Sequence, residues 1–372
     1  MASISLCMIV KNEEQNLAAC LDSVKGLVDE IIIVDTGSTD GTVDLARRHT
    51  DNIYFFEWMD DFSAARNFSL SKATCDYLMW LDADDVIEEV NHGEFLKLKE
   101  NLHMFDIVVM KYHIGHNEQG EVIKISSRER VFKGQNSFRF EGAVHERIPL
   151  TDKNTKIEIS DIFVTHTKNV LDDKIRATSL ARNFSILDRA VKSGSYSARD
   201  LYYYATMLAG KDEAGALPYL LEFVDNPGRM EFTGIMAYLC LHNIYLNYGE
   251  INKALKILTD YEHRNSHMSE YYCALGDFYH KRMNETQNAI AAFKKALSCD
   301  SVTPSGFKTA NSPEYYYYIP RLRLGELYVS LNRFEEAVEH YRHADSYPHD
   351  NQALPQLIEA LERLNQMQGA VN

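Results

Sequence analysis

The feature that most constrains the fold is an alternation of apolar runs and helical patterns that starts near the N-terminus. Ser3–Val10 and Glu30–Asp35 have the composition of strands, and the second is the β-branched run of a strand covered on both faces. Each is followed by a loop and by a segment with apolar residues at helical spacing. Because such alternation implies a parallel sheet with right-handed crossovers, the sequence predicts an N-terminal α/β domain.

A later strand of this series, Tyr77–Leu81, ends abruptly in an acidic cluster of Asp82, Asp84 and Asp85. In open α/β folds ligands bind beyond the carboxyl ends of the strands. Carboxylate oxygens suit Mg²⁺, which commonly bridges substrate phosphates, and they suit Mn²⁺ equally. Taken alone, the cluster is as consistent with a solvated turn that caps the next helix. The rest of the chain has to decide between the two interpretations.

Composition excludes several classes of protein. A formal net charge of -15 over 372 residues argues against non-specific nucleic-acid binding, which needs Lys and Arg to neutralise phosphates. Six scattered cysteines without a CxxC pair fit neither a zinc site nor a disulfide framework, and indicate reduced thiols. The apolar N-terminal run is too short for a signal peptide, so we expect none, and no other apolar run comes near twenty residues. We therefore expect a cytoplasmic protein without an integral membrane segment or a nucleic-acid partner.

Two further sites in the first half leave alternatives open. The loop Thr36–Thr42 is rich in glycine and hydroxyl groups, so its amides could face a phosphate or ribose, with Asp35 accepting hydrogen bonds from the nucleoside. It could equally be a tight connection with a helix N-cap, and it is neither a P-loop nor a Rossmann fingerprint. Arg66, in the first turns of a helix, either clamps a diphosphate or pairs with Asp61.

Four segments occur in an order and at a spacing that resemble the nucleotide-sugar half of family-2 glycosyltransferases with a GT-A fold. They are Met8–Glu14, Val34–Thr42, Asp61–Asn67 and Leu81–Asp85. The resemblance implies a UDP-sugar donor and contacts to its nucleotide from Val10, Glu13, Asp35, Arg66 and Asp82. It also implies that Asp84 binds the divalent cation, Mn²⁺ or Mg²⁺.

The acceptor side is predicted to follow an antiparallel hairpin formed by residues 107–114 and 122–125. The segment Gly142–Glu146 resembles the Gly-x-Val-His-Glu stretch of peptide glycosyltransferases of the sublancin S-glycosyltransferase type, which lies near the acceptor. An inverting transferase needs a base within reach of the incoming hydroxyl or thiol. Glu146 is the first candidate for this base and His145 the second; alternatively, one of them only pairs with Arg147 or Arg130.

His166 ends another apolar strand, Phe163–His166. The family pattern places a histidine here as a further metal ligand or a pyrophosphate contact, whereas a lone histidine after a strand is more often structural. The family commonly continues His-x-Gly-Tyr, and this chain departs from that pattern with Thr167, Lys168 and Asn169. The departure makes the ligand role of His166 a weaker prediction than that of Asp84.

After about residue 170 the strand patterns stop and helices follow one another. The spacing of small and large residues is that of a tetratricopeptide repeat. One copy contains Leu324, Gly325, Tyr328, Ala337, Tyr341 and Ala344. A second copy repeats it with one residue inserted and contains Leu275, Gly276, Tyr279, Ala289, Phe293 and Ala296. Two weaker copies precede them, so the sequence predicts a solenoid.

Together these patterns predict a GT-A domain over residues 1–170 and a helical repeat domain over residues 171–372. The predicted activity is inverting, metal-dependent transfer of a hexose or N-acetylhexosamine from a UDP-sugar. The favoured acceptor is a peptide or protein side chain that docks with help of the repeats, and a glycan such as the lipopolysaccharide core is the alternative. A catalytically dead fold that serves as a scaffold, and a homodimer formed through the repeats, also stay open.

Overall fold

The computed structural model describes residues 2–116, 120, 122–134, 138–149, 154–168, 173–226, 234–260, 268–299, 314–347, 349 and 351–369. The chain divides into two compact units, Met1–Tyr204 and Ala205–Asn372. The predicted domain boundary, between residues 170 and 171, lies outside the described residues and stays a prediction.

In the described part of the first unit, eight strands form one sheet. Their bounds are β1 Ile4–Val10, β2 Glu30–Asp35, β3 Ile53–Phe55, β4 Tyr77–Trp80, β5 Asp85–Val86, β6 Ile107–His116, β7 Val122–Lys133 and β8 Ile157–His166. The order across the sheet is β3-β2-β1-β4-β7-β6-β8-β5. Because β3, β2, β1 and β4 pair in parallel, the predicted α/β half is confirmed. The antiparallel pairing of β6 with β7 confirms the predicted hairpin.

Helices alternate with these strands or follow them in the chain. Their bounds are α1 Leu17–Ser23, α2 Thr42–Ala46, α3 Phe62–Leu70, α4 His92–Asn101, α5 Asp173–Ser193 and α6 Ala198–Ala209, within which the division between the units falls. One apolar core joins β1 and β4 to α1 through buried side chains such as Leu6, Met79 and Leu21. The carboxyl ends of β1, β2 and β4 thereby lie next to one another, at the edge where ligands bind in such sheets.

A short antiparallel pairing at the far side of the sheet positions the second half of the site. In β5, Asp85 pairs with His166 of β8, and Val86 pairs with Thr165. The backbone amide of Thr167 also donates to the carbonyl of Asp84, at 2.8 Å. The acidic cluster that follows β4 is therefore held against a strand that comes much later in the chain.

The second unit consists of paired helices. Their bounds, after α6, are α7 Glu213–Asp225, α8 Gly234–Asn247, α9 Ile251–Asp260, α10 Ser269–Phe278, α11 Thr286–Leu297, α12 Glu314–Tyr317, α13 Ile319–Ser330, α14 Phe334–Asp345 and α15 Leu354–Gly369. Small residues let the helices of a pair approach closely: a Cβ added to Gly276 of α10 would lie 2.7 Å from the Phe293 ring of α11. Gly325 meets Tyr341 in the same way. These are the small–large pairs that the repeat pattern predicted.

The residue inserted into one repeat is accommodated by a π-helical turn. Tyr279–Met283 forms this turn directly after α10, and Asn284 follows in the left-handed conformation with a φ of 55°. In the neighbouring repeat, which lacks the insertion, the corresponding left-handed residue is Asn332. A single extra residue widens one helical turn in this way without changing the next helix pair.

None of the described helices is both long and apolar enough to cross a bilayer.

Candidate active site

The loops after β1 and β2 are joined to each other by side-chain hydrogen bonds. Asn12, with a φ of 56°, donates its amide to Ser38 Oγ at 2.9 Å and accepts from the Thr39 amide at 2.8 Å. The Glu13 amide donates to Thr42 Oγ1 at 2.8 Å. The loops Lys11–Asn16 and Thr36–Gly41 therefore form one edge of the site, and their conformations depend on each other.

Asp35 ends β2 opposite Val10, its partner in the parallel register with β1. Its carboxylate is buried and accepts the amides of Gly37 and Ser38 at 3.0 Å each. The structure thus places Val10, Glu13 and Asp35 together at the carboxyl edge of the sheet. Their contacts with a nucleotide stay predictions.

Arg66, on α3, links two carboxylates that lie far apart in sequence. Its Nη2 donates to Asp82 Oδ1 and its Nε donates to Glu146 Oε1, each at 2.7 Å. The guanidinium lies over the Trp80 ring, 4.3 Å from the centroid, with Phe140 also within reach. The sequence left open whether Arg66 pairs with Asp61. In the structure Arg66 pairs with Asp82 and Glu146, and Asp61 caps α3.

The remaining nitrogen of Arg66, Nη1, is buried and has no hydrogen-bond partner among the described residues. Burial opposes the charge of the guanidinium, yet the nearby carboxylates of Asp82 and Glu146 raise the pKa of Arg66. The same pairing acts on Asp82. Burial works against its ionisation, but the positive charges of Arg66 and Arg130 outweigh it and lower the pKa of Asp82 to about 2. Asp82 is therefore an acceptor-only carboxylate at neutral pH.

Asp84 and His166 lie together at the opposite end of the acidic cluster, with Asp85 beside them. One ligand atom from each of the three residues lies within 4.8 Å of the others. Burial raises the pKa of Asp84, although the charges of His166 and Lys168 act against it. For His166 burial opposes the charged form, but the neighbouring carboxylates of Asp85 and Asp84 outweigh it and raise the pKa.

Asp85 is fully buried and has both oxygens engaged. Oδ1 accepts from the Tyr112 hydroxyl at 2.7 Å and lies 3.1 Å from His166 Nδ1. Oδ2 lies 3.0 Å from Arg130 Nη1 and accepts the Asp82 amide at 3.0 Å. The interpretation of the acidic cluster as a solvated turn that caps the next helix is therefore wrong for Asp85. This residue belongs to β5 and orients the imidazole of His166.

The donor atoms left over fit a divalent cation. Nδ1 of His166 lies 3.1 Å from Asp85 Oδ1 and 3.5 Å from Asp84 Oδ1, so the imidazole can offer a metal Nδ1 itself or, with Nδ1 held by Asp85 as in many metal-bound histidines, its Nε2. Asp84 supplies carboxylate oxygens, and Mn²⁺ accepts both carboxylate and imidazole ligands. Asp84 and His166 are thus the residues of this cluster that would hold the metal, with Asp85 behind them.

Lys168 was not among the predicted site residues. Its Nζ donates to both carboxylate oxygens of Glu13, at 2.9 and 3.0 Å, and lies 3.0 Å from Asp84 Oδ2. Burial opposes the ammonium charge, but these two carboxylates raise the pKa of Lys168. The signal in the sequence was the departure from His-x-Gly-Tyr, which places a lysine two residues after His166.

The Gly142–Glu146 segment runs along α3. Ser63 Oγ donates to the Gly142 carbonyl at 2.6 Å, and the Phe62 amide donates to the Ala143 carbonyl at 2.9 Å. Asn67 exchanges two hydrogen bonds with the backbone of Phe140, each at 2.9 Å. Phe62, Ser63 and Asn67, which flank Arg66 in its motif, therefore hold this segment in place. The sequence alone did not indicate this role.

Residues of α6 hold the same segment from another side within the first unit. Arg199 Nε donates to the His145 carbonyl at 2.9 Å, and the Ala143 amide donates to Asp200 at 3.3 Å. The His145 ring stacks on Tyr203 with 4.0 Å between centroids, and its backbone is left-handed with a φ of 54°. Burial, assisted by the charge of Arg199, lowers the pKa of His145 to about 4, so the imidazole is neutral at pH 7.

With this geometry in place, the chain can be compared with known proteins. Residues 5–151 match the family model of Glycosyl transferase family 2. This part of the first unit is therefore similar to the family-2 glycosyltransferases. Residues 269–302 and 321–348 match the model of the tetratricopeptide repeat. The predicted architecture, a family-2 domain of GT-A type followed by tetratricopeptide repeats, is confirmed.

The family-2 domain has relatives of different overall organisation. A TPR repeat-containing protein of Synechococcus elongatus is 37% identical over 40% of this chain and 36% of its own length. Glycosyltransferase SunS of Bacillus subtilis is 28% identical over 70% of this chain and 63% of its own length. The lipopolysaccharide core biosynthesis glycosyltransferase LpsC of Rhizobium meliloti is 26% identical over 39% and 56%. This chain thus spans less than two thirds of each of these relatives.

Solved structures that resemble the chain include a thermophilic TPR protein of Thermus thermophilus, with a TM-score of 0.36 and 23% identity over 52% of this chain and 97% of that one. Glucosyl-3-phosphoglycerate synthase of Mycobacterium tuberculosis, in complex with Mg²⁺ and uridine-diphosphate, has a TM-score of 0.26 and 23% identity over 30% and 44%.

Proposed function

We propose that this protein is an inverting glycosyltransferase that moves a hexose or N-acetylhexosamine from a UDP-sugar to a peptide or protein side chain. The observation that carries the proposal is the arrangement of carboxylates along one edge of the sheet. Asp84 lies beside His166, while Asp82 and Glu146 are tied together by Arg66. Similarity to family 2 gives this arrangement its chemical context.

On this proposal each side chain has a distinct task. A divalent ion held by Asp84 and His166 would act as a Lewis acid toward the departing diphosphate. Asp82 is ionised at neutral pH, because its pKa is about 2, and can accept a hydrogen bond from a ribose hydroxyl. Arg66 holds Asp82 in place and presents a buried N–H that still lacks a partner among the described residues.

Glu146 is the proposed base. Arg66 engages its Oε1 and fixes the direction of the carboxylate, and Oε2 can take the proton from an incoming hydroxyl or thiol. His145 is the second candidate; burial lowers its pKa to about 4, so its imidazole is neutral at pH 7. Its ring also stacks on Tyr203, so its role in the proposal is to shape the acceptor segment.

The peptide acceptor is supported by two features of the chain. The Gly142–Glu146 segment resembles that of peptide glycosyltransferases, and repeats of the tetratricopeptide type commonly bind peptides. The likeness to LpsC makes a lipopolysaccharide-core glycan the second candidate. Assays with a peptide library and with core oligosaccharide acceptors, using the same donor, would separate the two.

The first test is binding. Thermal melting of the full chain is followed with a panel of nucleoside diphosphates, each with and without Mn²⁺, because a ligand that binds only the native state raises its apparent stability. We expect UDP with Mn²⁺ to give the largest shift, and a matching panel of nucleotide sugars to show hydrolysis of a UDP-sugar. No shift with any nucleotide would overturn the proposal and favour a scaffold role.

A further inference from the structure

Lys168 occupies a specific place between the two halves of the donor site. Its Nζ bridges Glu13, which lies in the loop after β1, and Asp84, which lies in the cluster after β4. The three contacts are 2.9 to 3.0 Å long. The ammonium group therefore already joins the carboxylate on the nucleoside side to the carboxylate on the metal side.

The surroundings of Lys168 leave it free to contact a ligand. Its side chain is 34% exposed, whereas those of Glu13 and Asp84 are 21% and 11% exposed. The other cations of the site are committed elsewhere: Arg130 is completely buried against Asp85, and Arg66 binds Asp82 and Glu146. Lys168 is thus a solvent-accessible cation beside carboxylates that carry the negative charge of the site.

We propose that Lys168 is a tethered cation that binds the diphosphate of the nucleotide donor. The proposal rests on the proposed function, which puts the nucleoside near Glu13 and the metal on Asp84. A diphosphate that connects those two positions must pass the point where the ammonium lies. An ammonium has three donors, so it can exchange a carboxylate partner for a phosphate oxygen while keeping a charge-assisted hydrogen bond.

This role differs from simple neutralisation of the carboxylates. If Lys168 only balanced the charge of Glu13 and Asp84, its removal would weaken anionic ligands through longer-range repulsion, and raised ionic strength would cancel most of the loss. If it binds the diphosphate, its removal weakens UDP at low and high ionic strength and spares the nucleoside. The comparison of UDP with uridine, made at two ionic strengths, distinguishes these two cases.

The experiment uses the full chain with Lys168→Met, which keeps the length of the side chain and removes its charge. Titration calorimetry with UDP in the presence of Mn²⁺ should show an affinity about tenfold weaker than that of the unsubstituted protein, in line with one lost charge-assisted hydrogen bond. Uridine binding, followed by ligand-observed NMR, should change less than about twofold. Lys168→Arg should keep UDP affinity within about threefold.

Lys97→Met is the matched control, because Lys97 is exposed and pairs only with Glu94 of its own helix among the contacts described. It should bind UDP like the unsubstituted protein, and all four proteins should show a cooperative melting transition without ligand, which shows that they are folded. Unchanged UDP affinity in Lys168→Met, a loss that raised ionic strength cancels, or an equal loss for uridine would overturn the role of Lys168. Absence of UDP binding by the unsubstituted protein would instead count against the proposed function.

Discussion

The two units differ in the side-chain contacts that they bury. The first unit buries the Arg130–Asp85 pair with neither side chain exposed, and places Arg66 and Asp84 beside it. The described helices of the second unit pack mainly through small residues against rings, such as Gly276 against Phe293. Buried charge costs desolvation free energy, whereas apolar interlocking does not. The stability of the first unit should therefore depend on its buried charge pairs, and that of the second on close packing between its helices.

The chain offers a way to follow the units separately. Both tryptophans, Trp58 and Trp80, belong to the first unit. Tryptophan fluorescence during chemical denaturation therefore reports the unfolding of that unit. Far-UV circular dichroism is weighted toward the helices, most of which lie in the second unit. One denaturation experiment can therefore follow the stability of each unit.

Replacing Asp84 by Ala removes the central metal ligand of the proposed mechanism. Since Lewis-acid stabilisation is worth several kcal/mol, we expect sugar transfer to fall by about 10³-fold or more. The Mn²⁺-dependent part of the thermal shift with UDP should disappear as well. Asp44→Ala, at an exposed residue that pairs with Arg47, is the control. Near-normal transfer by Asp84→Ala would remove the metal assignment.

Glu146→Gln tests the base. The substitution keeps the shape of the side chain and abolishes proton acceptance, so turnover should fall by about 10²–10⁴-fold while UDP affinity stays within about threefold. Because His145 is neutral and stacked on Tyr203, His145→Phe should lose less activity than Glu146→Gln. Loss of UDP binding in Glu146→Gln would indicate that the residue only positions Arg66.

Arg130→Met removes the fully buried cation that pairs with Asp85. We expect the free energy of unfolding of the first unit to fall by about 3–5 kcal/mol, seen in tryptophan fluorescence. Arg333→Met in the second unit breaks an exposed pair with Glu336 and should cost less than about 1 kcal/mol, seen in circular dichroism. Equal effects of the two substitutions would contradict the contrast between the units.

Gly276→Ala forces a methyl group toward Phe293, with 2.7 Å available. We expect a loss of about 1–3 kcal/mol in the transition seen by circular dichroism, because a close-packed helix pair has no room for it. Gly93→Ala is the matched change in the first unit, where nothing lies within 4 Å of the added Cβ. It should be neutral or gain up to about 1 kcal/mol, since alanine favours helix.

Glu270 gives the second unit a modest pH dependence. Burial raises its pKa to about 6, against the effect of the hydrogen bond that the Tyr316 hydroxyl donates to it. A carboxyl whose pKa is higher in the folded state stabilises the fold below its unfolded pKa of about 4.3, and this contribution is lost as pH rises through about 6. The full effect is about 2 kcal/mol.

Glu270→Gln removes this titration. The stability measured by circular dichroism should therefore become flatter between about pH 4 and 7, while the tryptophan transition of the first unit keeps its own pH profile. A profile of the second unit that is the same with and without the substitution would show that Glu270 does not titrate in this range.

Much of the fold could be predicted because its signals are local. The β-branched run ending in Asp35 specifies a buried parallel strand, and the spacing of Gly276, Tyr279 and Phe293 specifies a helix pair. Asp84 and Glu146 were predicted as site residues from motifs that each occupy a few positions. The partners of those residues were predicted less well: Glu146 pairs with Arg66, and the sequence offered Arg147 or Arg130.

Local sequence patterns specify the secondary-structure elements, their order and the residue types that can carry chemistry. Only the fold brings particular residues of this set into contact. His166 reaches Asp85 across 81 residues because β5 pairs with β8, and Lys168, two residues beyond β8, reaches Glu13 across 155 residues. Pairing between distant strands depends on the packing of the whole sheet, so short-range patterns do not encode it. The roles of Asp85 and Lys168 therefore emerged only with the fold.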